Sequence, residues 1–195
     1  MMAPMVTRSE TSAGTRRALL NAAGALLDTG GPGAVTLREV GARAGVSRSA
    51  PYRHFADKEH LLAGVATEAW QEFGDTLEAL SADADAAPKL SLRLALLTLV
   101  STGRSRPHLY RLMFTTPSTD PSDVSRAAER GQDLFLSIVS RVVGAHRAKQ
   151  YGGLLLATAH GVTDLELSGH LPVDKWQASA EDLVALLIDV LPHPS

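Results

Sequence analysis

The sequence predicts an all-α protein of roughly nine helices. Three observations carry that prediction. Apolar residues recur at three-to-four spacing through nearly the whole chain, no stretch alternates as a strand does, and most apolar segments open on a capping residue or a proline.

Taken in order, Leu19, Ala22, Ala23, Leu26 and Leu27 predict an amphipathic helix over 15–28, stopped by the Gly/Pro cluster at 29–33. Thr36 opens the next helix. With Glu39 three residues on, it predicts a reciprocal capping box, and Leu37, Val40 and Ala44 give this short helix a buried stripe. Gly45 supplies the turn that follows, Ser47 caps a short helix over 47–54, and Asp57 caps a long one lined by Leu61, Leu62, Val65, Ala69, Phe73, Leu77 and Leu80. After a loop at 81–88, helices are expected over 88–104, 107–114, 121–144, 147–169 and 173–191; Pro88, Pro107 and Pro121 suit first turns. Residues 1–12 read as a flexible arm, and residues 192–195 as a frayed end.

The chain has 195 residues, enough to bury a core without covalent staples, and no cysteine, which excludes disulfides and thiolate metal sites. A reducing cytoplasm is the simplest compartment for such a chain. Neither the first residues nor any apolar run has the pattern of a signal peptide or a membrane span. Net charge is -2, but it is unevenly spread: residues 1–60 hold eight Lys or Arg against five Asp or Glu, and the remainder holds 11 against 16. A basic head on an acidic body suits a phosphate-binding module joined to one with another task.

Two short helices separated by a glycine turn have the layout of a helix-turn-helix, whose second helix enters the major groove of DNA. In that second segment Ser49 and Ala50 are small enough to let the backbone approach, while Arg48 and Arg53 are long donors for guanine edges or phosphates. Tyr52 and His54 offer polar tips to the DNA backbone. Thr36, Lys58 and the N–H groups of the helix that Asp57 caps are candidate phosphate anchors.

The run TLREVGARAGVSRSAPYRHFADKEHLL resembles the DNA-binding motif of the TetR (tetracycline repressor) family. The matching residues are Ala44-Gly45-Val46-Ser47, Tyr52, His54-Phe55, Lys58 and Leu61-Leu62, and the clear likeness covers about 13–65. It implies a DNA-binding domain over 13–58 and a ligand-binding and dimerisation domain over 59–195. By the same resemblance Tyr52, His54 and Lys58 would touch phosphates, Arg48 and Ser49 would read bases, and Phe55 would be core. The run around His160-Gly161 resembles the penultimate helix of one branch of that family.

Beyond Pro88 the helices carry more apolar residues than one face of each can bury internally. Trp70, Phe73, His108, Tyr110, Met113, Phe114, Phe135, Tyr151 and His160 are the candidates to line a ligand cavity, with ordinary core packing as the alternative. Gly153, Ala157 and Gly161 make a small-residue stripe that, with Leu165 and the final segment (Trp176, Leu183, Leu187, Leu191), is the candidate dimer interface; packing within the chain is the alternative.

The chain shows no P-loop, no G-x-S-x-G elbow, no H-E-x-x-H and no metal-site spacing among its seven histidines, so neither enzyme, cofactor nor metal is expected. The function these features imply is a ligand-responsive repressor. It would bind a near-palindromic operator in double-stranded DNA as a homodimer and be released by a small molecule. A helical protein-interaction module without DNA binding is the alternative, with an enzyme behind it.

Overall fold

The computed structural model describes residues 8–82, 86–115 and 122–192. Among them the chain forms ten helical segments and no strand: α1 (Arg8–Ala34), α2 (Leu37–Arg43), α3 (Ala50–His54), α4 (Lys58–Ala82), α5 (Pro88–Ser105), α6 (Pro107–Met113), α7 (Ser122–Val143), α8 (Ala148–Leu167), α9 (Val173–Trp176) and α10 (Ala180–Asp189). The all-α expectation holds. Parts of the expected arm (1–7), of the loop (83–85) and of the frayed end (193–195), and the expected helix start at Pro121, lie outside the described residues.

Helix α1 begins at Arg8, inside the segment expected as an arm. It also runs past the Gly/Pro cluster to Ala34, and the break expected there shrinks to a kink at Gly31 (φ +66°). Its inner face is the predicted one: Leu19, Ala23 and Leu27 are fully buried. Together with Val40, Phe55 and Leu61 they form the core under α2 and α3, and that core is continuous through α4 into the body. Helix α4 is the long element shared by both parts. Its Trp70 and Phe73 pack where Gly131 of α7 leaves room, a Cβ there standing 3.4 Å from Phe73.

In the body α5 packs against α6, α7, α8 and α10. Gly103 of α5 leaves no space before Thr163 of α8, which brings those two backbones close. An Arg104 guanidinium at the end of α5 holds Glu166 of α8 at 2.6 Å and also Glu181 of α10, so one cation gathers three helices.

The helix expected over 173–191 is broken. Gln177 turns left-handed (φ +51°) after the single turn α9, and Ser179 then starts α10 through a capping box with Asp182. The Ser179 to Asp182 spacing is a readable start signal, and the apolar period running across it hid the break.

Candidate DNA-reading surface and sensor body

The helix-turn-helix is built by local bonds. Thr36 Oγ1 accepts the Glu39 N–H at 3.2 Å. The reciprocal half of the expected box is replaced, because the Glu39 carboxylate takes the Arg38 guanidinium at 3.0 Å. Gly45 sits at φ +68°, and the Val46 N–H returns to the Gly41 carbonyl at 3.2 Å, closing α2.

Helix α3 begins at Ala50, three residues later than the expected 47–54, with residues 48 and 49 in a turn before it. Pro51 therefore lies in the first turn, where its missing N–H breaks no helical bond. It is buried against Gly41 of α2, where a Cβ would come within 2.8 Å of its Cγ. Ala50, expected to face DNA, is 3% exposed and points inward with Pro51, so it is not available to a groove. With those two residues inside, Arg48, Ser49, Tyr52 and Arg53 are turned outward, Tyr52 at 61% exposed; His54 and Lys58 are half-buried.

Arg48 and Tyr52 line a concavity of about 580 Å³ between α2 and α3. Arg38 of α2 lines it too, with a side chain 84% exposed, and the sequence reading did not single it out. Position 38 follows the Thr36 cap on an outward helical step, the signal that could have found it. On the other side of α3, Arg53 and His54 share a groove with Thr11, Ser12 and Thr15 of α1, the first two of which lie in the segment expected as a flexible arm. Phe55 is core, 4% exposed, with the Arg16 guanidinium 5.3 Å from its ring centroid.

At the start of α4, Asp57 Oδ1 accepts the His60 N–H at 2.9 Å and meets His60 Nδ1 at the same distance. The first of these bonds holds the Asp57 carboxyl below its usual range. One of the N–H groups expected to meet a phosphate is therefore already taken.

Of the nine cavity candidates, five form a chain of ring contacts. Trp70 stands edge-on to Phe73 and Phe114, and Phe114 touches Tyr110 and His160, with a centroid separation of 4.4 Å to the imidazole. Tyr110 OH lies 2.8 Å from His160 Nδ1. Burial pushes the phenol up to about 12, so at neutral pH it keeps its proton and can donate it to the imidazole. Met113 joins through its carbonyl, which accepts the Trp70 Nε1–H at 3.0 Å.

The remaining candidates are elsewhere. His108 rests on Gly31 of α1, its ring 3.1 Å from where a Cβ would stand. Phe135 faces Gly152 between α7 and α8, and Tyr151 is half-buried. Thr76, Thr98 and Thr102, which the sequence reading passed over, line a cleft of about 170 Å³ with Phe73 and Met113.

The small-residue stripe on α8 faces outward. Gly153 and Ala157 are exposed, and a Cβ at Gly153 or Gly161 would meet nothing within 4 Å, so packing within the chain does not account for them. Leu154 and Leu165 on α8, Trp176 on α9, Leu186 on α10 and Val190 just after it are exposed apolar residues. Leu183 and Leu187 are half-buried. Leu191, expected at the interface, is 5% exposed and belongs to the chain's own core.

A short helix seated on a glycine, with tyrosine and arginine outward on it, arginine and serine in the turn before it, and a larger helical body behind, defines a helix-turn-helix regulatory protein. Residues 19–65 match the family model for bacterial regulatory proteins of the tetR family, and residues 92–191 match that for the tetracyclin repressor-like C-terminal domain. The chain belongs to this family of transcription regulators.

Its fold is shared by a protein of unknown function from Rhodococcus sp. RHA1 (TM-score 0.75, 26% identity, 90% of this chain and 92% of that one). A TetR-family transcriptional regulator from Streptomyces coelicolor is similar (TM-score 0.64, 23% identity, 93% and 99%). So is SmeT, solved as a complex with triclosan (TM-score 0.53, 23% identity, 90% and 88%). No curated protein sequence matches the chain significantly. No helix among the described residues is long and apolar enough to cross a membrane.

Proposed function

We propose that the protein is a ligand-responsive transcriptional repressor, working in the cytoplasm as a homodimer on a near-palindromic operator. The observation that carries this reading is the division of α3 and the turn before it: Ala50 and Pro51 anchor the helix inward, which leaves Tyr52 and Arg53 on it, and Arg48 and Ser49 in the turn, to the outside. Such a helix spans only a few base pairs, so two copies are needed, placed roughly 34 Å apart on successive major grooves. The uncovered glycine stripe of α8, with the exposed Leu186 of α10 and Val190 just after it, supports a two-fold contact through these helices.

In this reading 13–58 is the DNA-binding unit and 59–195 the sensing and pairing unit. Thr36, Tyr52, His54 and Lys58 hold phosphates, and Arg48 and Ser49 face base edges, joined by Arg38. The small molecule enters the body near Tyr110, Phe114 and His160; that the structurally similar SmeT forms a complex with triclosan supports a small-molecule site in such a body. A ligand that prefers a different spacing of the two reading helices releases the DNA by that preference alone. No catalytic role is assigned.

Footprinting of the purified protein on the DNA flanking its own gene tests the reading. A protected near-palindrome is the expected result. No protection at low ionic strength, for protein that is folded and dimeric, would overturn it.

A further inference from the structure

The reading head meets the body along a seam where the corner between α5 and α6 lies on the end of α1. Arg106, the residue between those two helices, donates from Nε to Asp28 Oδ2 at 2.8 Å. Its guanidinium passes over α1 where Gly24 leaves room, a Cβ there standing 3.3 Å from Nη2. One turn further, the His108 ring rests on the kinked Gly31.

The seam is hollow on both sides of the arginine. A cleft of about 230 Å³ lies between α1, α4 and α6, and one of about 170 Å³ lies between α4, α5 and α6. Arg106 and Glu72 line both and Glu68 lines the larger, so beyond Asp28 the guanidinium shares its space with two further carboxylates, of which Glu72 alone borders both clefts.

As a stabiliser the Arg106–Asp28 pair is poor. Its side chains are 36% and 29% exposed, so both charges lose part of their hydration, a cost that offsets much of the attraction. Asp28 Oδ1 is shut off from water without a hydrogen-bond partner, which works against the pair. A weak bond between two otherwise well-packed units, beside room into which its cation can move, is suited to opening and closing.

We infer that Arg106 is a latch between sensor and reading head: held by Asp28 it ties α6 to α1, and turned to Glu72 it lets α1 shift relative to the body. The latch gives the release step a two-state element that both ends of the molecule can bias. It rests on the DNA-binding reading above.

By reciprocity, DNA on the head must then be felt in α6, and this can be measured without knowing the effector. Hydrogen exchange is followed in the full chain, free and bound to a duplex selected from a random pool. In the native chain the duplex slows exchange across 107–113 on the order of tenfold. In Arg106→Gln and Asp28→Asn that slowing falls below about twofold while protection at 36–58 remains, the double variant adds nothing, and Arg106→Lys keeps most of it.

Undiminished slowing at 107–113 in variants that still melt cooperatively and still bind the duplex would overturn the latch. If no selected duplex binds the native chain, the repressor reading fails, and the free chain then decides the latch. Matched faster exchange at 24–34 and 107–113 in both single variants supports it, and unchanged exchange there overturns it.

Discussion

Gly41 and Pro51 are fitted to each other across the helix-turn-helix: the proline ring lies where a side chain on α2 would begin, 2.8 Å from an added Cβ. This contact sets how α3 sits on α2, and so which residues the reading head shows. A rigid ring cannot fold away as a flexible side chain would. Gly41→Ala should therefore lose about 1–3 kcal/mol by overpacking, against a helix-propensity gain of about 1 kcal/mol. A net loss in urea unfolding is expected, and Gly41→Ala combined with Pro51→Ala should recover part of it.

Side chains that touch phosphates and those that touch bases should separate in binding assays. Tyr52→Ala and Lys58→Ala are expected to weaken binding to operator and random duplexes alike, and Lys58→Ala, which removes a charge, to flatten the salt dependence as well. Arg48→Ala should cost about 1–3 kcal/mol on the operator and much less on random DNA. Equal losses on both for Arg48→Ala would remove it from the base-reading set.

The open stripe on α8 makes a prediction of opposite signs. Because a Cβ at Gly161 meets nothing in the chain itself, Gly161→Glu should leave the fold intact and even favour the helix by a fraction of about 1 kcal/mol. In a close helix pairing the same carboxylate has no room. Sedimentation should show a folded monomer where the native chain is dimeric; a dimer of unchanged strength would exclude this face.

Stability should fall in acid partly through Glu181. The hydrogen bond from Arg104 holds its carboxyl well below the ordinary 4.5, at about 2. A depressed folded-state value contributes stability that is present above about pH 4.5 and is lost as pH falls toward 2. Glu181 is 37% exposed, so solvent screening limits the contribution to about 1 kcal/mol or less. Thermal melts from pH 6 to pH 2.5 should show a shallower loss in Glu181→Gln than in the native chain.

Tyr110→Phe removes the hydroxyl that meets His160 Nδ1 and leaves that nitrogen in a half-buried setting without its phenol. A loss of about 1–2 kcal/mol is expected in chemical unfolding. An unchanged midpoint would mean that water replaces the phenol, and so that the imidazole is reached by solvent.

Local order in the chain is enough to read much of this molecule. The helical period, the Thr36 cap, the Gly45 turn and the prolines at 88 and 107 place nearly every helix within a few residues, because each signal acts on backbone groups close to it in sequence. The same is true of where the reading head lies.

Only the tertiary structure decides which way side chains face. Pro51 turns inward onto the seat that Gly41 makes and Ala50 before it is buried too, His108 rests on Gly31 away from the aromatic group, and Leu191 joins the core while Gly161 stays open. A short helix has no strong apolar face of its own, so the residues packed against it, distant in sequence, set its rotation.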